Sequence, residues 1–181
     1  HWIYALLDRV KCFDRLLAWI IAGIMVALGG DAGVAGALRR RYVGFLRTFR
    51  VGPWCGGFWA ATDGMGQGCA LSMIYINVTV EGWRRYLRRK VPEVRPTGFV
   101  DDRTMRHEET AVVQQGLDAA LTYDRLTGKR TNHKSKVFST HPEQCAEELG
   151  DLHYGPMKLD TVDAEKLLGV EQLSLIHISE P

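Results

Sequence analysis

The distribution of apolar and polar residues at the start of the chain predicts one strand and one helix. Residues 2–7 are mostly apolar and run directly into Asp8, which is typical of a short buried strand that ends at a carboxylate. Residues 16–28 are apolar throughout, and this run is too short to span a bilayer. We therefore expect a buried helix that ends at Gly29 and Gly30.

Three later segments have the spacing of amphipathic helices. Residues 35–49 predict a basic helix, residues 67–90 a long helix that ends before Pro92, and residues 108–126 a helix followed by Gly128. The predicted buried positions are Leu38, Tyr42, Phe45 and Phe49 in the first helix, Leu71, Ile74, Tyr75, Val78, Trp83, Tyr86 and Leu87 in the second, and Val113, Leu117 and Leu121 in the third.

The middle of the chain predicts a β-hairpin. Residues 91–98 include two prolines and a glycine, which favour extended or turning backbone. Residues 99–100 then form the end of the incoming strand, and residues 103–106 form a short segment that can be the returning strand. Asp101 and Asp102 are therefore expected at the tip of the hairpin.

Other segments complete the predicted fold. Residues 50–68 are rich in glycine and aromatic residues and predict strands and loops, and residues 142–149 predict a short acidic helix. Residues 136–139 and 167–170 predict further strands. This order of elements predicts an α+β fold in which a split β-α-β unit builds an antiparallel sheet around the hairpin.

The net charge of +2 hides an uneven distribution of charge. No acidic residue lies within residues 32–62, and two basic clusters stand out: Arg39, Arg40, Arg41, Arg47 and Arg50, and then Arg84, Arg85, Arg88, Arg89 and Lys90. A basic face beside an acidic spot suits a polyanion held near a metal, although arginines on helices are commonly only solvated. Trp54 and Phe58, with Arg47 and Arg50, could grip a nucleic acid by stacking, although core packing is commoner for aromatic residues.

A hydrophobic content of 46% and a charged content of 24% are typical of a globular chain that buries a core. The four cysteines have neither a CxxC pair nor a zinc-ligand spacing: Cys12, Cys55, Cys69 and Cys145. We therefore expect reduced, mostly buried thiols in an intracellular protein, in the nucleus or the cytoplasm.

Three carboxylates are candidates for one site. Asp8 ends the first predicted strand, which can lie beside the tip that carries Asp101 and Asp102 in a split β-α-β sheet. A solvated turn is the commoner origin of an Asp-Asp pair taken alone. Three converging carboxylates stay ionised only beside cations, and two Mg²⁺ ions would satisfy them and clamp the oxygens of a phosphoryl transfer.

Five blocks of the sequence are similar to those of a reverse transcriptase palm of the non-LTR retrotransposon kind. Residues 8–14 resemble Asp-x-x-Lys-Ala-Phe-Asp, residues 64–72 resemble Gly-x-Pro-Gln-Gly-Cys-x-Leu-Ser, and residues 99–102 resemble Tyr/Phe-x-Asp-Asp. Residues 126–136 resemble the block that ends in Asn-x-x-Lys-Ser, and residues 168–170 resemble the Leu-Gly that opens the primer grip. The blocks stand in the family's order, with Gly66, Ala70 and Met73 where prolines are common.

The resemblance implies an RNA-directed DNA polymerase. In that reaction a primer 3′-hydroxyl attacks the α-phosphate of a dNTP with the help of two Mg²⁺ ions, or of Mn²⁺. The resemblance assigns Asp8, Asp101 and Asp102 as catalytic residues and metal ligands. The implied partners are an RNA template, a DNA or RNA primer and a dNTP, without stable membrane association, and a covalently linked endonuclease is compatible with the full-length protein.

The resemblance also assigns four substrate-binding residues. The ring of Phe13 would lie under the incoming sugar and exclude a 2′-hydroxyl, while Gln67 and Gly68 would position the nucleotide and the template base. Lys134 would approach the triphosphate and protonate pyrophosphate. From the residues alone, Phe13 is better explained as a core aromatic at a strand–helix junction. Lys134 is equally well explained as a solvated loop lysine.

The resemblance further predicts a fragment of a larger enzyme. Residues 1–170 would be the palm region, with residues 17–62 as a partial fingers insertion and residues 63–170 as the remaining palm. Residues 171–181 would be a tail, of which residues 173–181 resemble a translated sequencing adapter. We expect the isolated fragment to be weak or inactive as a polymerase.

Two other classes of function stay open. One is a catalytically dead or co-opted palm that only binds nucleic acid. The other is a membrane-anchored module that uses residues 16–28.

Overall fold

The computed structural model describes residues 1–10, 12–61, 64–65, 69–141, 147, 149–162, 166–167 and 170–171. These ranges contain four α-helices and a five-stranded mixed sheet, which confirms the predicted α+β class. The helices are α1 (Ala18–Ala27), α2 (Ala32–Tyr42), α3 (Ala70–Lys90) and α4 (Thr110–Leu126), and a 3-10 turn spans Phe13–Arg15.

Most of the described strands have only two residues, and the longer ones belong to the main sheet. They are β1 (Ile3–Leu7), β2 (Leu46–Arg47), β3 (Arg50–Val51), β4 (Trp54–Cys55), β5 (Trp59–Ala60), β6 (Arg95–Phe99), β7 (Asp102–His107), β8 (Lys136–Ser139), β9 (His153–Tyr154), β10 (Met157–Lys158), β11 (Asp160–Thr161), β12 (Lys166–Leu167) and β13 (Val170–Glu171). The main sheet has the order β11-β8-β1-β7-β6, and the remaining strands form two-stranded ribbons.

Strand β1 lies at the centre of the sheet. It pairs antiparallel with β7 on one side and with β8 on the other, so β7 and β8 run parallel to each other. Helix α4 connects β7 to β8, and the three elements form a split β-α-β unit with β1 inserted between its strands. The edge strand β11 pairs parallel with β8, which makes the sheet mixed rather than purely antiparallel.

One face of the sheet is covered by helices. Ile3, Ala5 and Leu7 of β1 are fully buried against residues of α3 and α4 such as Trp83 and Leu117. Since side chains alternate along a strand, the intervening residues of β1 and β7 point to the opposite face. A second cluster of buried residues joins α1, α2 and the first half of α3: Leu16, Ile21, Tyr42, Tyr75 and Ile76 are among its members.

The apolar run near the start of the chain forms a helix that is less buried than predicted. Helix α1 ends where expected, and Gly29 follows it with a φ of 94°. Only Ile21 and Ala22 are buried, while Trp19 is 59% exposed, because the helix packs on α2 and α3 along one side only. No helix within the described ranges is long and apolar enough to cross a membrane.

The predicted helix over residues 35–49 is wrong in its second half. Helix α2 ends at Tyr42, and Gly44 follows with a φ of 72°, a backbone conformation that cannot continue a right-handed helix. Residues 46–47 form β2 instead, and Phe49 is 75% exposed rather than buried. The pairing of β2 with β5 therefore outweighs the helical spacing of the apolar residues in this segment.

The other predicted elements are largely confirmed. Helix α3 ends at Lys90 before Pro92, but Ile74 of its predicted apolar face is 48% exposed. Helix α4 buries Val113 and Leu117 as predicted. The strand predicted over residues 167–170 is instead two short strands, β12 and β13, that pair with each other. The helix predicted over residues 142–149 falls mostly outside the described residues.

Candidate functional site

The hairpin between β6 and β7 closes with a two-residue turn. Phe99 pairs with Asp102, which leaves Val100 and Asp101 as the residues of the turn. Val100 has a φ of 56°, a left-handed conformation that is strained for a β-branched residue and is normally taken by glycine. Its half-buried side chain packs against the second core cluster, and this contact holds the turn in place. Strained residues of this kind concentrate at functional sites.

Asp8 lies beside this turn, as the sequence predicted. Strand β1 pairs with β7 up to Leu7 and Arg103, so the next position of β1 falls opposite Asp102. Burial raises the pKa of Asp102, and the charges of Asp101 and then Asp8 raise it further. The carboxylate of Asp102 is therefore close enough to the other two carboxylates to be repelled by both.

A loop after α4 holds Asp8 in position. The backbone N–H of Asn132 donates to the carbonyl of Asp8 at 2.8 Å, and Asn132 Nδ2 donates to Asp8 Oδ2 at 3.0 Å. The backbone N–H of Asp8 donates to Ser135 Oγ at 3.1 Å, and that hydroxyl donates to the carbonyl of Asn132 at 2.8 Å. The sequence patterns alone assign no role to Asn132 or Ser135. The available signal is their place in the sequence Asn132-His133-Lys134-Ser135, within the segment that resembles the block ending in Asn-x-x-Lys-Ser.

Two of the predicted substrate residues lie near this framework. Lys134 is in the same loop, its backbone N–H donates to Asn132 Oδ1 at 3.3 Å, and its side chain is exposed. Phe13 begins the 3-10 turn after β1 and is only partly buried, against the second core cluster. The carbonyl of Phe13 accepts a hydrogen bond from the N–H of Met65 at 2.9 Å. The packed and the ligand-facing interpretations of Phe13 both agree with this half-exposed position.

The other two predicted substrate residues, Gln67 and Gly68, lie outside the described residues, as does Lys11. The described part of the chain resumes at Cys69, which caps α3 without a side-chain hydrogen bond to the helix. The Sγ atom of Cys69 lies 3.0 Å from the hydroxyl of Tyr42. Cys12, Cys55 and Cys69 are free thiols, of which Cys12 is buried and Cys55 is exposed.

An arginine follows Asp8 and another follows Asp102, and both arginines are buried. Arg103 points toward α4 and binds Asp124 with two hydrogen bonds of 2.8 and 2.7 Å. Tyr154 donates to the same carboxylate at 2.6 Å. Burial alone would raise the pKa of Asp124, but Arg103 outweighs that effect and holds the pKa below its ordinary value. This ion pair ties β7 to α4 directly behind the carboxylates.

The donor set of the three carboxylates suits a hard divalent cation. Oxygen ligands are those that Mg²⁺ prefers, and a cation between Asp8, Asp101 and Asp102 would relieve the repulsion that raises the pKa of Asp102. Within the described ranges, no three His, Cys, Asp or Glu side chains are already gathered as a metal-binding group.

A second surface carries exposed aromatic residues. Trp54 is 80% exposed and Phe58 is 72% exposed, so the alternative that they pack in the core is wrong. They lie in the segment that includes β3 and β4, together with Arg50, whose Nε donates to the carbonyl of Gly52 at 3.0 Å. Exposed rings among arginines are the kind of surface on which nucleic acid bases stack.

Comparison with models of known protein families gives no match. Comparison with curated protein sequences gives no match either.

Proposed function

We propose that the chain carries the palm of a reverse transcriptase and that Asp8, Asp101 and Asp102 form its catalytic site. The observation that carries this proposal is the pairing of β1 with β7, which brings Asp8 beside a strained turn that contains Asp101. The five sequence blocks and the split β-α-β topology agree with it. On this proposal, residues 17–62 belong to the fingers and residues 63–170 to the palm.

The reaction would be the addition of a dNTP to a primer 3′-hydroxyl on an RNA template. Divalent cations, when bound, would activate the hydroxyl and neutralise the charge that develops on the transferred phosphate. Asp8 and Asp101 would hold these cations, with Asp102 as a nearby third carboxylate.

The remaining residues of the site would orient the reactants. Asn132 and Ser135 fix the backbone and one carboxylate oxygen of Asp8 through the hydrogen bonds described above, which limits its freedom to turn away. Phe13 would pack under the deoxyribose, and a 2′-hydroxyl would clash with its ring. Lys134, exposed in the loop next to Asn132, would donate a proton to the leaving pyrophosphate.

A second function has specific support. The exposed Trp54 and Phe58 provide a surface for nucleic acid that does not depend on the carboxylates. A chain that only binds nucleic acid would keep this surface, and its affinity for nucleic acid would not change when Asp8 is replaced.

One experiment separates these two functions. Single-nucleotide incorporation into an end-labelled primer on an RNA template is measured with the protein in large excess and with Mg²⁺ or Mn²⁺. We expect slow incorporation that requires the metal, prefers dNTP over rNTP, and falls by at least about a hundredfold in Asp8→Asn and Asp101→Asn. Asp118→Asn, an exposed carboxylate of α4, is the matched control. Template–primer binding without incorporation, unchanged in Asp8→Asn, would favour the binding module.

A further inference from the structure

A basic cavity lies at the end of α4, lined by the loop that follows this helix and by residues of the segment 154–157. Its volume is about 550 Å³, and it opens to solvent. The charged residues of its lining are Arg15, Asp124, Arg125, Lys129 and Arg130. Four of these five are cations, so the cavity is strongly electropositive.

The single carboxylate of the lining is already occupied. Asp124 accepts two hydrogen bonds from Arg103, one from Tyr154 and one from Thr131 Oγ1 at 2.9 Å. It therefore balances the charge of Arg103 and has little capacity left for the other cations of the cavity.

Two further cations are buried next to this ion pair without adequate partners. Arg9 is only 5% exposed, and its Nη1 lies 3.8 Å from the weak acceptor Cys12 Sγ. Its Nε and Nη2 atoms have no hydrogen-bond partner in the described structure, and the same is true of the buried Nζ of Lys129. The Nζ atom of Lys129 lies 5.3 Å from the ring centroid of Tyr123, which is a weaker substitute for a hydrogen bond.

This arrangement is electrostatically incomplete. Two buried guanidinium groups, those of Arg9 and Arg103, and the buried amine of Lys129 share one described carboxylate, and uncompensated buried charge is costly. Burial and then the charges of Arg9 and Arg103 hold the pKa of Lys129 well below its ordinary value. An anion in the cavity would reverse that effect on Lys129 and supply an acceptor for its unpartnered Nζ.

We propose that this cavity binds a phosphate group. Guanidinium groups match phosphate oxygens in geometry, and several converging cations favour an anion with more than one charge. The group could belong to a small anion such as orthophosphate or pyrophosphate, or to the backbone of a nucleic acid. This inference does not rest on the proposed polymerase function.

The cavity is connected to the loop that holds Asp8. The N–H of Lys129 donates to the carbonyl of Asp124 at 2.8 Å, and the N–H of Val10 donates to the carbonyl of Arg130 at 3.0 Å. Asn132 follows two residues later and contacts Asp8 directly. A phosphate bound by Lys129 and Arg130 would therefore stabilise the segment that positions the carboxylate.

The test is thermal unfolding of the full 181-residue chain in orthophosphate and in pyrophosphate, each compared with chloride at the same ionic strength. We expect both phosphates to raise the melting temperature in a saturable manner. In Lys129→Met the affinity obtained from that titration should fall about tenfold, because a charged hydrogen-bond donor is lost. Lys90→Met, which removes an exposed lysine at the end of α3, should keep the wild-type affinity.

Lys129→Met should fold, since it removes an unpaired buried cation. The double variant Arg125→Gln, Arg130→Gln provides an independent check, because both side chains are exposed at the rim and are not needed for packing. The same titration with a short oligonucleotide identifies the source of the phosphate. Saturation by the oligonucleotide alone, with an affinity that falls in Lys129→Met, assigns a backbone phosphate, and saturation by the small anions assigns a free one. No saturable effect of any of the three ligands, or equal affinity in wild type and both variants, would overturn the proposal.

Discussion

Asn132 Nδ2 donates a hydrogen bond to Oδ2 of Asp8 at 3.0 Å, across 124 residues of sequence. The backbone N–H of the same asparagine holds the Asp8 carbonyl at 2.8 Å. Asn132 therefore fixes both the backbone and the carboxylate of Asp8, the residue that follows the central strand and lies beside the hairpin tip. Removal of its side chain should affect the site more than it affects the fold.

Asn132→Ala tests this positioning role. The hydrogen bond is partly buried and its acceptor is charged, so we expect a loss of about 1 kcal/mol in the free energy of unfolding. We also expect roughly tenfold weaker Mn²⁺ binding, which is typical when a partner of a metal-ligating residue is removed. Urea denaturation and Mn²⁺ titration measure the two effects. Asn77→Ala, an exposed asparagine of α3, should leave Mn²⁺ binding unchanged, and an equal loss in both variants would contradict the role of Asn132.

The positive φ of Val100 predicts an unusual order of stability at that position. Val100→Ala and Val100→Gly both lose the packing of a half-buried side chain, but only glycine relieves the backbone strain. We expect the glycine variant to be more stable than the alanine variant by about 1 kcal/mol in chemical denaturation. The same pair at Val34, an exposed position in the first turn of α2, should show the opposite order, because alanine has the higher helix propensity. Alanine more stable than glycine at position 100 would show that the turn is not strained in solution.

Asp102 should destabilise the metal-free protein at neutral pH. The pKa of Asp102 is raised in the folded chain, so folding favours its protonated form. The contribution of Asp102 to the free energy of unfolding is therefore complete below its pKa in the unfolded chain, and it is lost as pH rises through its pKa in the folded chain. Because the group is partly exposed, we expect Asp102→Asn to be more stable than wild type by only a few tenths of a kcal/mol at about pH 7. The difference should vanish below about pH 4, where the carboxylate is protonated in both states.

Urea denaturation at both pH values, without divalent cations, measures this effect. Asp118→Asn removes an exposed carboxylate of α4 and should show no comparable gain at neutral pH. A loss of stability in Asp102→Asn at neutral pH would mean that its charge is already compensated by a partner.

The ion pair of Arg103 and Asp124 should be essential for the fold. Asp124→Asn leaves Arg103 buried without its counter-charge, beside Arg9, and we expect a loss of about 3–5 kcal/mol in the free energy of unfolding. Denaturant melts of the purified variant measure the loss, with Asp118→Asn on the exposed side of the same helix as the control. A loss below about 1 kcal/mol would indicate that solvent reaches the pair.

Local sequence patterns were sufficient to predict the strand and the hairpin that surround the site. The apolar run before Asp8 predicts β1, and the prolines and glycine before Phe99 predict the hairpin, because strand patterning and turn chemistry act over a few residues. These elements and the split β-α-β topology together predict that Asp8 lies next to the hairpin tip.

Other features could not be predicted from the sequence. The bond from Asn132 to Asp8 and the ion pair of Arg103 with Asp124 join distant residues, and no local pattern distinguishes these side chains from solvated ones. The end of α2 at Tyr42 depends on the pairing of β2 with β5, which competes with helical spacing. Helix α1 is apolar all round, so its sequence could not indicate which side would be left exposed.

The central claim is that Asp8, Asp101 and Asp102 act as one cation site. Mn²⁺ titration of the 181-residue chain, followed by electron paramagnetic resonance of the free ion, tests it most directly. We expect saturable Mn²⁺ binding that weakens by at least about tenfold in both Asp8→Asn and Asp101→Asn, and that is unchanged in Asp118→Asn. Binding of Mn²⁺ by Asp8→Asn as tight as that of the wild type would contradict the claim.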